Sequence, residues 1–393
     1  MKLNMTLIDP EYLQSFADTE ISHRRLSVHD HAGCHLLCRR SSITFLVDGV
    51  SLTKAFGHFV QSLKILGYVT HFEENYDQRE VTLEHHGRTK LVNHVFAEVN
   101  NTLLHIVAGY SWKSYLWTTK CNLDTLRHTK WHSLAAKMSF CRSDYLLNHL
   151  KTTKALIDGM HFQVPLYVRT FLSELKNSTF TFCNYKQARS YYSMYGYDSS
   201  PESVLFRSKA RKLLSTVIRL LGALKVRFWL SSGTCLGWFR QCDFIPHSKD
   251  VDIGIWITDY NHQIIPLFKK HGIVLKHLFG RLSDSFELSF QSGDMKLDIF
   301  FFYKDANIMW NGGTQARTGK KFKYIFPSFT LCWTWFNGLR VRIPCETLSY
   351  VKANYGEHWG EKVKTWDWKS SPPNVRENGE WPLEERGEVI QSF

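Results

Sequence analysis

The sequence has no run of about 18 or more consecutive apolar residues, the length that a helix needs to span a bilayer. Its start, Met1-Lys2-Leu3-Asn4, lacks the apolar core of a signal peptide. Taken literally, this pattern indicates a cytosolic protein. No internal repeat or low-complexity tract is present either, which excludes a repeat architecture.

Close CxxC pairs are missing among the nine cysteines, which are odd in number, and this spacing disfavours a zinc site. Cys34 and Cys38 are better candidates for a disulfide or for neighbours on one helix turn, with free buried thiols as the alternative. The scattered histidines His85, His86 and His94 are interpreted as surface groups or satisfied core groups rather than metal ligands.

What the chain does contain is typical of a folded globular protein. Its 393 residues are 44% hydrophobic and 15% aromatic, and this length favours two domains. The formal net charge of +13 suggests attraction to polyanions. However, the basic residues are spread along the chain and no nucleic-acid module is recognisable, so nucleic acid is not expected as a partner. An anionic nucleotide sugar and an anionic membrane surface account for the charge.

The sequence predicts two domains of mixed helix and strand character. Residues 1–176 combine strand-like runs with short helical stretches and form a stem-like α/β domain without a catalytic constellation. Residues 177–205, rich in Ser, Asn, Tyr and Gly, are interpreted as a linker. Residues 206–393 open with an apolar-faced helix to about Leu224. Strand and helix signals then alternate, which predicts an α+β domain with a mixed sheet flanked by helices.

Three aspartates carry the chemical signal. Asp250 and Asp252 alternate with apolar residues in one strand-like run, so their side chains share a face, and Asp298 occupies an equivalent position in a second run that reads as a neighbouring strand. Hard oxygen ligands of this kind suit Mg²⁺ or Mn²⁺. We therefore predict Asp250, Asp252 and Asp298 as a catalytic metal site. Asp298 is either the third ligand or the general base, and the sequence leaves both roles open.

Substrate-binding residues are predicted around these aspartates. Gly233 and Thr234 belong to a Ser-Ser-Gly-Thr turn that precedes an apolar run, which is typical of a helix whose N-terminal amides face an anion. Arg240 is a candidate pyrophosphate clamp, with a structural salt bridge as the alternative.

Two further segments offer contacts. The segment from Asn311 to Lys323 is predicted as a flexible cationic loop that holds phosphates, with a solvated basic loop as the alternative. Asp367 lies between Trp366 and Trp368, whose rings could stack on a sugar or on cytosine, although such tryptophan clusters are more often part of a core. The candidate contacts in these two segments are Asn311, Gln315, Arg317, Lys320, Lys321, Lys323 and Asp367.

Several long tracts with rare Trp, Cys and Gly positions resemble a known family. They are Phe228 to Trp238, Arg240 to Pro246, Lys249 to Asp252, Met309 to Ala316, Thr318 to Tyr324, Leu331 to Thr334, Pro344 to Leu348 and Val363 to Lys369. Together they resemble the fukutin-like proteins, in the LicD-like branch of the polymerase-beta-type nucleotidyltransferase superfamily. The resemblance is dense from about Cys183 onward and thinner before it.

The resemblance implies a nucleotidyltransferase-like fold and a ribitol-5-phosphate transferase. Such an enzyme takes ribitol 5-phosphate from CDP-ribitol and places it on an N-acetylgalactosamine hydroxyl of the O-mannosyl glycan on alpha-dystroglycan. It also implies a luminal Golgi location beside other Golgi glycosyltransferases, with a membrane anchor ahead of Met1. Two alternatives stay open: transfer of phosphocholine or another phospho-alcohol from a CDP-activated donor, and a non-catalytic glycosylation scaffold.

Overall fold

The computed structural model describes residues 3–17, 41–99, 101–363 and 365–393, so the predicted Cys34 and Cys38 pair lies outside the described residues. The chain divides into two compact units, Met1–Phe180 and Thr181–Phe393. Each unit combines helices with a sheet, which confirms the predicted mixed class. Among the described residues, none of the helices is both long and apolar enough for a bilayer.

The first unit is organised around a mixed sheet. Its middle strand, β5, pairs in parallel with β2 and antiparallel with β4 and β6. The elements of this unit, in chain order, are β1 (Thr6–Leu7), α1 (Pro10–Ala17), β2 (Ser42–Asp48), α2 (Gly49–Ile65), β3 (Val69–Tyr76), β4 (Lys90–Val99), β5 (Thr102–Trp112), β6 (Tyr115–Thr118), α3 (Leu123–Leu126), α4 (His132–Ala135), α5 (Ser139–Arg142), β7 (Asp144–Asn148), β8 (Thr152–Ile157), β9 (Met160–Pro165), α6 (Val168–Asn177) and β10 (Thr179–Phe180).

Apolar side chains of alternating strand positions form the cores of this unit. Ile43, Phe45 and Val107 pack with Phe171 of α6 in one core. A second core surrounds Phe96 and contains Cys121 and Cys141, which form a disulfide. Two of the strand-like runs of the sequence, Leu91 to Phe96 and Leu103 to Val107, are confirmed as parts of β4 and β5.

The second unit also combines helices and strands. Its elements are α7 (Tyr185–Tyr195), α8 (Pro201–Ala223), β11 (Phe228–Leu230), α9 (Ser232–Gln241), β12 (Asp250–Trp256), α10 (Ile264–Lys270), β13 (Val274–Arg281), β14 (Asp284–Ser292), β15 (Met295–Asp305), β16 (Ile308–Thr314), β17 (Lys320–Pro327), β18 (Leu331–Phe336), β19 (Leu339–Pro344), α11 (Thr347–Tyr355), β20 (Val375–Glu380), α12 (Arg386–Val389) and β21 (Ile390–Ser392).

The sheet of the second unit is centred on β15. This strand pairs in parallel with β12 and antiparallel with β14 and β16. The side chains of Val251, Ile253, Leu297 and Ile299 are fully buried at alternate positions, and α8 contacts both strands. The mixed sheet flanked by helices is thus confirmed, and the opposite face of β12 and β15 is left for polar side chains.

The segment 177–205, interpreted above as a linker, carries secondary structure along much of its length. It includes α7 and the first turn of α8, and from Thr181 onward it belongs to the second unit. A disulfide between Cys183 and Cys242 ties it to the end of α9. A third disulfide joins Cys332 and Cys345, and Cys235 is a free buried thiol.

Candidate active site

The three predicted aspartates meet because β12 and β15 are parallel and in register. Asp252 lies opposite Asp298, and Asp250 lies opposite Lys296. Partners in a parallel pair project to the same side of the sheet, so the polar positions converge while Val251 and Leu297 point into the core. Carboxylate oxygens of Asp250, Asp252 and Asp298 all lie within 4.8 Å of one another.

Burial and mutual repulsion disfavour full ionisation of these carboxylates. Burial, followed by the charge of Asp298, raises the pKa of Asp250 to about 6. Burial and the charges of both neighbours hold the pKa of Asp252 well above its usual range. A divalent cation would relieve this repulsion, because it stabilises the ionised form of every oxygen it contacts. The donor set, all carboxylate, therefore fits a hard cation such as Mg²⁺ or Mn²⁺.

Three residues beside the aspartates were not predicted. Lys296 Nζ lies 2.7 Å from Asp298 Oδ2, and the Ser289 hydroxyl donates a hydrogen bond of 2.7 Å to Asp298 Oδ1. Glu287, two residues before Ser289 on β14, lines the same cavity, and burial and the charge of Asp298 raise its pKa to about 8. The signal was present in the sequence, since each of these residues is polar at an alternate position of an apolar strand.

Helix α9 starts directly at the carboxylates. Its N-cap is Ser231, whose backbone N–H donates to the Asp252 carbonyl, and Ser232 has a φ of +39°, which turns the chain sharply into the helix. A Cβ on Gly233 would lie 3.3 Å from Asp252 Oδ2, so glycine keeps the space beside this carboxylate open. Gly233 lines the cavity, and its contact with substrate stays a prediction.

Thr234 has a different position from the one predicted. Its hydroxyl accepts a 2.8 Å hydrogen bond from the Asp252 backbone N–H, its side chain is buried, and it is not part of the cavity lining. The hydroxyl is occupied by the strand itself, so Thr234 positions Asp252 rather than offering a group to a ligand.

Arg240 lies in the cavity wall with only 3% of its surface exposed. Its guanidinium donates to the Glu361 carbonyl at 3.1 Å and to Gln241 Oε1 at 2.8 Å, and it lies over the Tyr191 ring. Among the described residues no carboxylate forms an ion pair with Arg240, and its Nε has no hydrogen-bond partner. A buried cation without a counter-ion is costly, and an anionic ligand would remove that cost.

These groups surround one cavity of about 710 Å³, a size that suits a nucleotide-sized ligand. One side of it is aromatic. Trp366 and Trp368 line it with 39% and 40% of their surface exposed, so they are not core residues. Asp367 between them does not line the cavity, because its carboxylate accepts from the Ser370 hydroxyl and the Lys369 backbone and caps a turn. Other aromatic residues in the lining are Tyr324, Tyr355 and Trp359.

The segment from Asn311 to Lys323 is not a flexible loop. It forms the β16–β17 hairpin, in which Asn311 pairs with Tyr324 and both line the cavity. Side chains alternate along β17, so Lys321 and Lys323 lie on the other side of the hairpin from Tyr324.

The predicted phosphate contacts on this hairpin are therefore corrected. Lys320 pairs with Glu377, Lys321 with Asp284 and Lys323 with Asp305. Gln315 accepts from the Thr318 hydroxyl within the turn, and Arg317 is exposed. None of these five residues belongs to the cavity lining. The charges of the three lysines are balanced by carboxylates of neighbouring strands, which a count of lysines in the sequence could not reveal.

Three carboxylates on paired strands, a helix that begins beside them and a nucleotide-sized cavity define a nucleotidyltransferase-type domain. Residues 225–346 match the family described as LicD/FKTN/FKRP, nucleotidyltransferase domain. Residues 1–211 match the family described as Fukutin N-terminal, which covers more than half of the chain. The chain belongs to the fukutin family.

Two relatives are similar to the chain over nearly its whole length. The protein named ribitol-5-phosphate transferase FKTN from Mus musculus is 41% identical over 389 residues, which is 98% of this chain and 84% of the relative. The protein of the same name from Homo sapiens shows the same identity and coverage. A match of this extent includes both units.

Proposed function

We propose that this protein transfers ribitol 5-phosphate from CDP-ribitol to a sugar hydroxyl, in a reaction that depends on a divalent cation. The convergence of Asp250, Asp252 and Asp298 in a nucleotide-sized cavity carries this proposal. The names of the relatives support ribitol 5-phosphate as the transferred group. The acceptor we propose is an N-acetylgalactosamine hydroxyl of the O-mannosyl glycan on alpha-dystroglycan, on the luminal side of the Golgi, where other glycosyltransferases act on the same glycan.

The three aspartates would hold the cation. Mg²⁺ or Mn²⁺ in this position would neutralise charge on the pyrophosphate of the donor and on the departing CMP. Lys296 contributes a fixed positive charge, since burial opposes its protonation but Asp298, Glu287 and Asp250 outweigh that effect and raise its pKa. Ser289 and Lys296 together fix the orientation of Asp298.

Arg240 and α9 supply the remaining anion contacts. Arg240 lines the cavity and, among the described residues, pairs with no carboxylate, so its guanidinium suits a phosphate oxygen. The first amides of α9 lack intrahelical partners and meet the cavity at Gly233. These groups would hold the pyrophosphate against the carboxylate site and so align the reacting phosphorus.

In the transfer step, the acceptor hydroxyl oxygen forms a bond to the phosphorus that carries ribitol. The bond from that phosphorus to the CMP oxygen breaks, and CMP leaves with the electron pair. The hydroxyl proton passes to a carboxylate. Asp298 is one candidate, and Glu287 is a second in the same cavity.

The test is CMP release from CDP-ribitol in the presence of an acceptor glycopeptide, with CDP-choline in a parallel reaction and with EDTA in a third. We expect release from CDP-ribitol only, and its loss with EDTA. Asp252→Asn should reduce turnover at least about 100-fold, because it removes one carboxylate of the cation site.

Asp294→Asn is the matched control, since Asp294 is an exposed carboxylate in the turn before β15 and pairs with Lys209. It should keep wild-type turnover. Preference for CDP-choline would support the phosphocholine alternative over ribitol phosphate. Wild-type turnover by folded Asp252→Asn would refute the carboxylate site, and no turnover of either donor by the wild type would favour a non-catalytic scaffold.

A further inference from the structure

A second cluster of ligand-type side chains lies in the first unit, outside the proposed active site. It consists of His94 on β4, His105 on β5, Cys121 after β6 and Cys141 in α5, and all four are buried. Because β4 and β5 are antiparallel with Phe96 opposite His105, the two imidazoles project to one side of the sheet. They lie beneath the short helices α3 to α5, in the core that surrounds Phe96.

The distances within this cluster are close to those of a tetrahedral zinc site. His94 Nδ1 and His105 Nε2 are 3.0 Å apart, and His105 Nε2 lies 3.9 Å from the sulfur of Cys121 and 3.9 Å from that of Cys141. With Zn–N of about 2.0 Å and Zn–S of about 2.3 Å, a tetrahedral site needs ligand separations of roughly 3.3 to 3.8 Å. One ligand atom each from His94, His105 and Cys121 lie within 4.8 Å of one another, and the two sulfurs, bonded to each other in the disulfide, must move apart.

The surroundings hold the ligands in place without the disulfide. The Cys121 backbone N–H donates to the Cys141 carbonyl, so the two cysteines stay adjacent when the sulfur bond is broken. The far nitrogens of the imidazoles face hydroxyls: His94 Nε2 lies 3.4 Å from Thr119 Oγ1, and His105 Nδ1 lies 3.5 Å from Thr44 Oγ1. Once a metal occupies the inner nitrogens, these hydroxyls can accept from the outer ring N–H groups and so orient the rings.

The chemical state of the histidines also suits a metal ligand. Burial lowers the pKa of His94 to about 4, and burial together with His94 lowers the pKa of His105 well below its usual range. Both rings are therefore neutral at physiological pH, which is the form that coordinates zinc.

We propose that His94, His105, Cys121 and Cys141 form a redox-gated zinc site. In the oxidised state the Cys121–Cys141 disulfide closes it. A dithiol reductant transfers two electrons and two protons to the disulfide and is itself oxidised to a disulfide. Zn²⁺ then displaces the two thiol protons and binds two thiolates and two imidazoles. The proton that the rings share moves to an outer nitrogen. In the reverse direction a disulfide oxidant accepts two electrons from the two thiolates and takes up two protons to become a dithiol, and the re-formed Cys121–Cys141 bond releases the ion.

This site would fasten more elements than the disulfide does. The metal would join β4 and β5 to the turn before α3 and to α5, in place of a single link between the last two. The first unit would then keep its second core in either redox state, because zinc bound to the native arrangement stabilises it by mass action.

The test uses the full chain, produced under reducing conditions and freed of metal with a chelator, with Co²⁺ as the probe. We expect one thiolate-bound Co²⁺ per chain, with the strong visible bands of tetrahedral cobalt and a near-ultraviolet charge-transfer band, and displacement by Zn²⁺. Cobalt at the aspartate site has oxygen ligands only and gives no thiolate band. Chain oxidised before cobalt is added should give no thiolate band.

Variants decide which side chains bind. His94→Gln and His105→Gln should each weaken cobalt binding at least about tenfold, since loss of a ligand costs at least as much as loss of an outer contact. Cys121→Ser with Cys141→Ser should abolish the thiolate band. Because serine is close in size to cysteine, this double variant tests the site even where a histidine variant fails to fold. Cys332→Ser with Cys345→Ser is the matched control and should retain it. The proposal is overturned when the reduced wild type gives no thiolate band, or when the band persists in the Cys121/Cys141 variant.

Discussion

At the scale of single residues, β12, the strand of Asp250 and Asp252, is packed so closely that one added methyl group should change the free energy of unfolding. A Cβ on Gly254 would overlap the Trp229 ring, whereas a Cβ on Gly222 in α8 would meet nothing within 4 Å. We expect Gly254→Ala to lower the free energy of unfolding by about 1 to 3 kcal/mol through overpacking. Gly222→Ala should raise it by up to about 1 kcal/mol, because alanine is the better helix former. Urea unfolding of both variants measures this contrast, and equal effects would contradict it.

The buried histidine pair makes the stability of the first unit sensitive to acid. The folded-state pKa of His94 is about 4, below its ordinary value of 6.5, so the unfolded chain binds more protons between these values. The free energy of unfolding should therefore fall as pH drops from about 6.5 to about 4, by up to roughly 3 kcal/mol from this residue.

Thermal melting of the metal-free, oxidised chain across that pH range measures the acid effect. His94→Gln removes the titrating group, so its melting temperature should depend less steeply on pH. An unchanged slope in this variant would assign the acid sensitivity to other groups.

At the scale of elements, the cationic side chains of the β16–β17 hairpin differ from Arg240 in their position relative to the cavity. Lys323 pairs with Asp305 and Arg317 is exposed, and neither lines the cavity, whereas Arg240 does. We expect Lys323→Gln and Arg317→Gln to leave the donor KM within about twofold of wild type. Arg240→Lys should raise that KM at least about tenfold, because lysine cannot reproduce the planar set of donors. Steady-state kinetics with CDP-ribitol test both expectations. A large increase in KM for Lys323→Gln would mean that the hairpin contacts the donor.

Disulfides of the second unit differ in the length of chain that they close. Cys183 and Cys242 are 59 residues apart, and Cys332 and Cys345 are 13 apart. On the loop-entropy model, replacing the first pair by serines should cost about 4 kcal/mol and replacing the second about 3 kcal/mol. Urea unfolding of the two double-serine variants gives the order, and the reverse order would show that native contacts around the sulfurs outweigh chain entropy.

Elements with strong periodicity could be predicted from the sequence. Features that depend on contacts between residues distant in the sequence could not. The apolar face of α8 and the alternation in β12 and β15 are local patterns, so the helix and the aspartate face were predictable. Lys321 and Lys323 of β17 also alternate with apolar residues, yet they pair with Asp284 and Asp305 on other strands, which the local pattern does not reveal. The disulfide partners Cys183 and Cys242 are brought together only by the fold.

At the scale of the whole molecule, metal and protons compete for the aspartate site. The folded-state pKa of Asp250 is raised to about 6 from 3.8, so the folded chain binds more protons than the unfolded chain between these values. The stability of the metal-free protein should therefore fall as pH rises through that window. A bound cation offsets the repulsion between the ionised carboxylates. At a concentration of 100 times its Kd, it adds about 2.7 kcal/mol to the free energy of unfolding.

We expect Mn²⁺ to raise the melting temperature more at about pH 7.5 than at about pH 5, since protons occupy the carboxylates at the lower pH. EDTA should reverse the effect. Asp252→Asn should lose most of the shift, and Asp294→Asn should keep it. An equal shift at both pH values would mean that the cation binds elsewhere.

The register of β12 against β15 limits how such an enzyme can change during evolution. Asp252 faces Asp298 because residues 250–256 of β12 pair with β15 without a register shift. Deleting one amino acid within either strand would turn every later side chain over, and it would bury a carboxylate where Val251 or Leu297 now packs. Codon gains and losses should therefore accumulate in the connecting turns of this protein lineage, while these two strands keep a constant length.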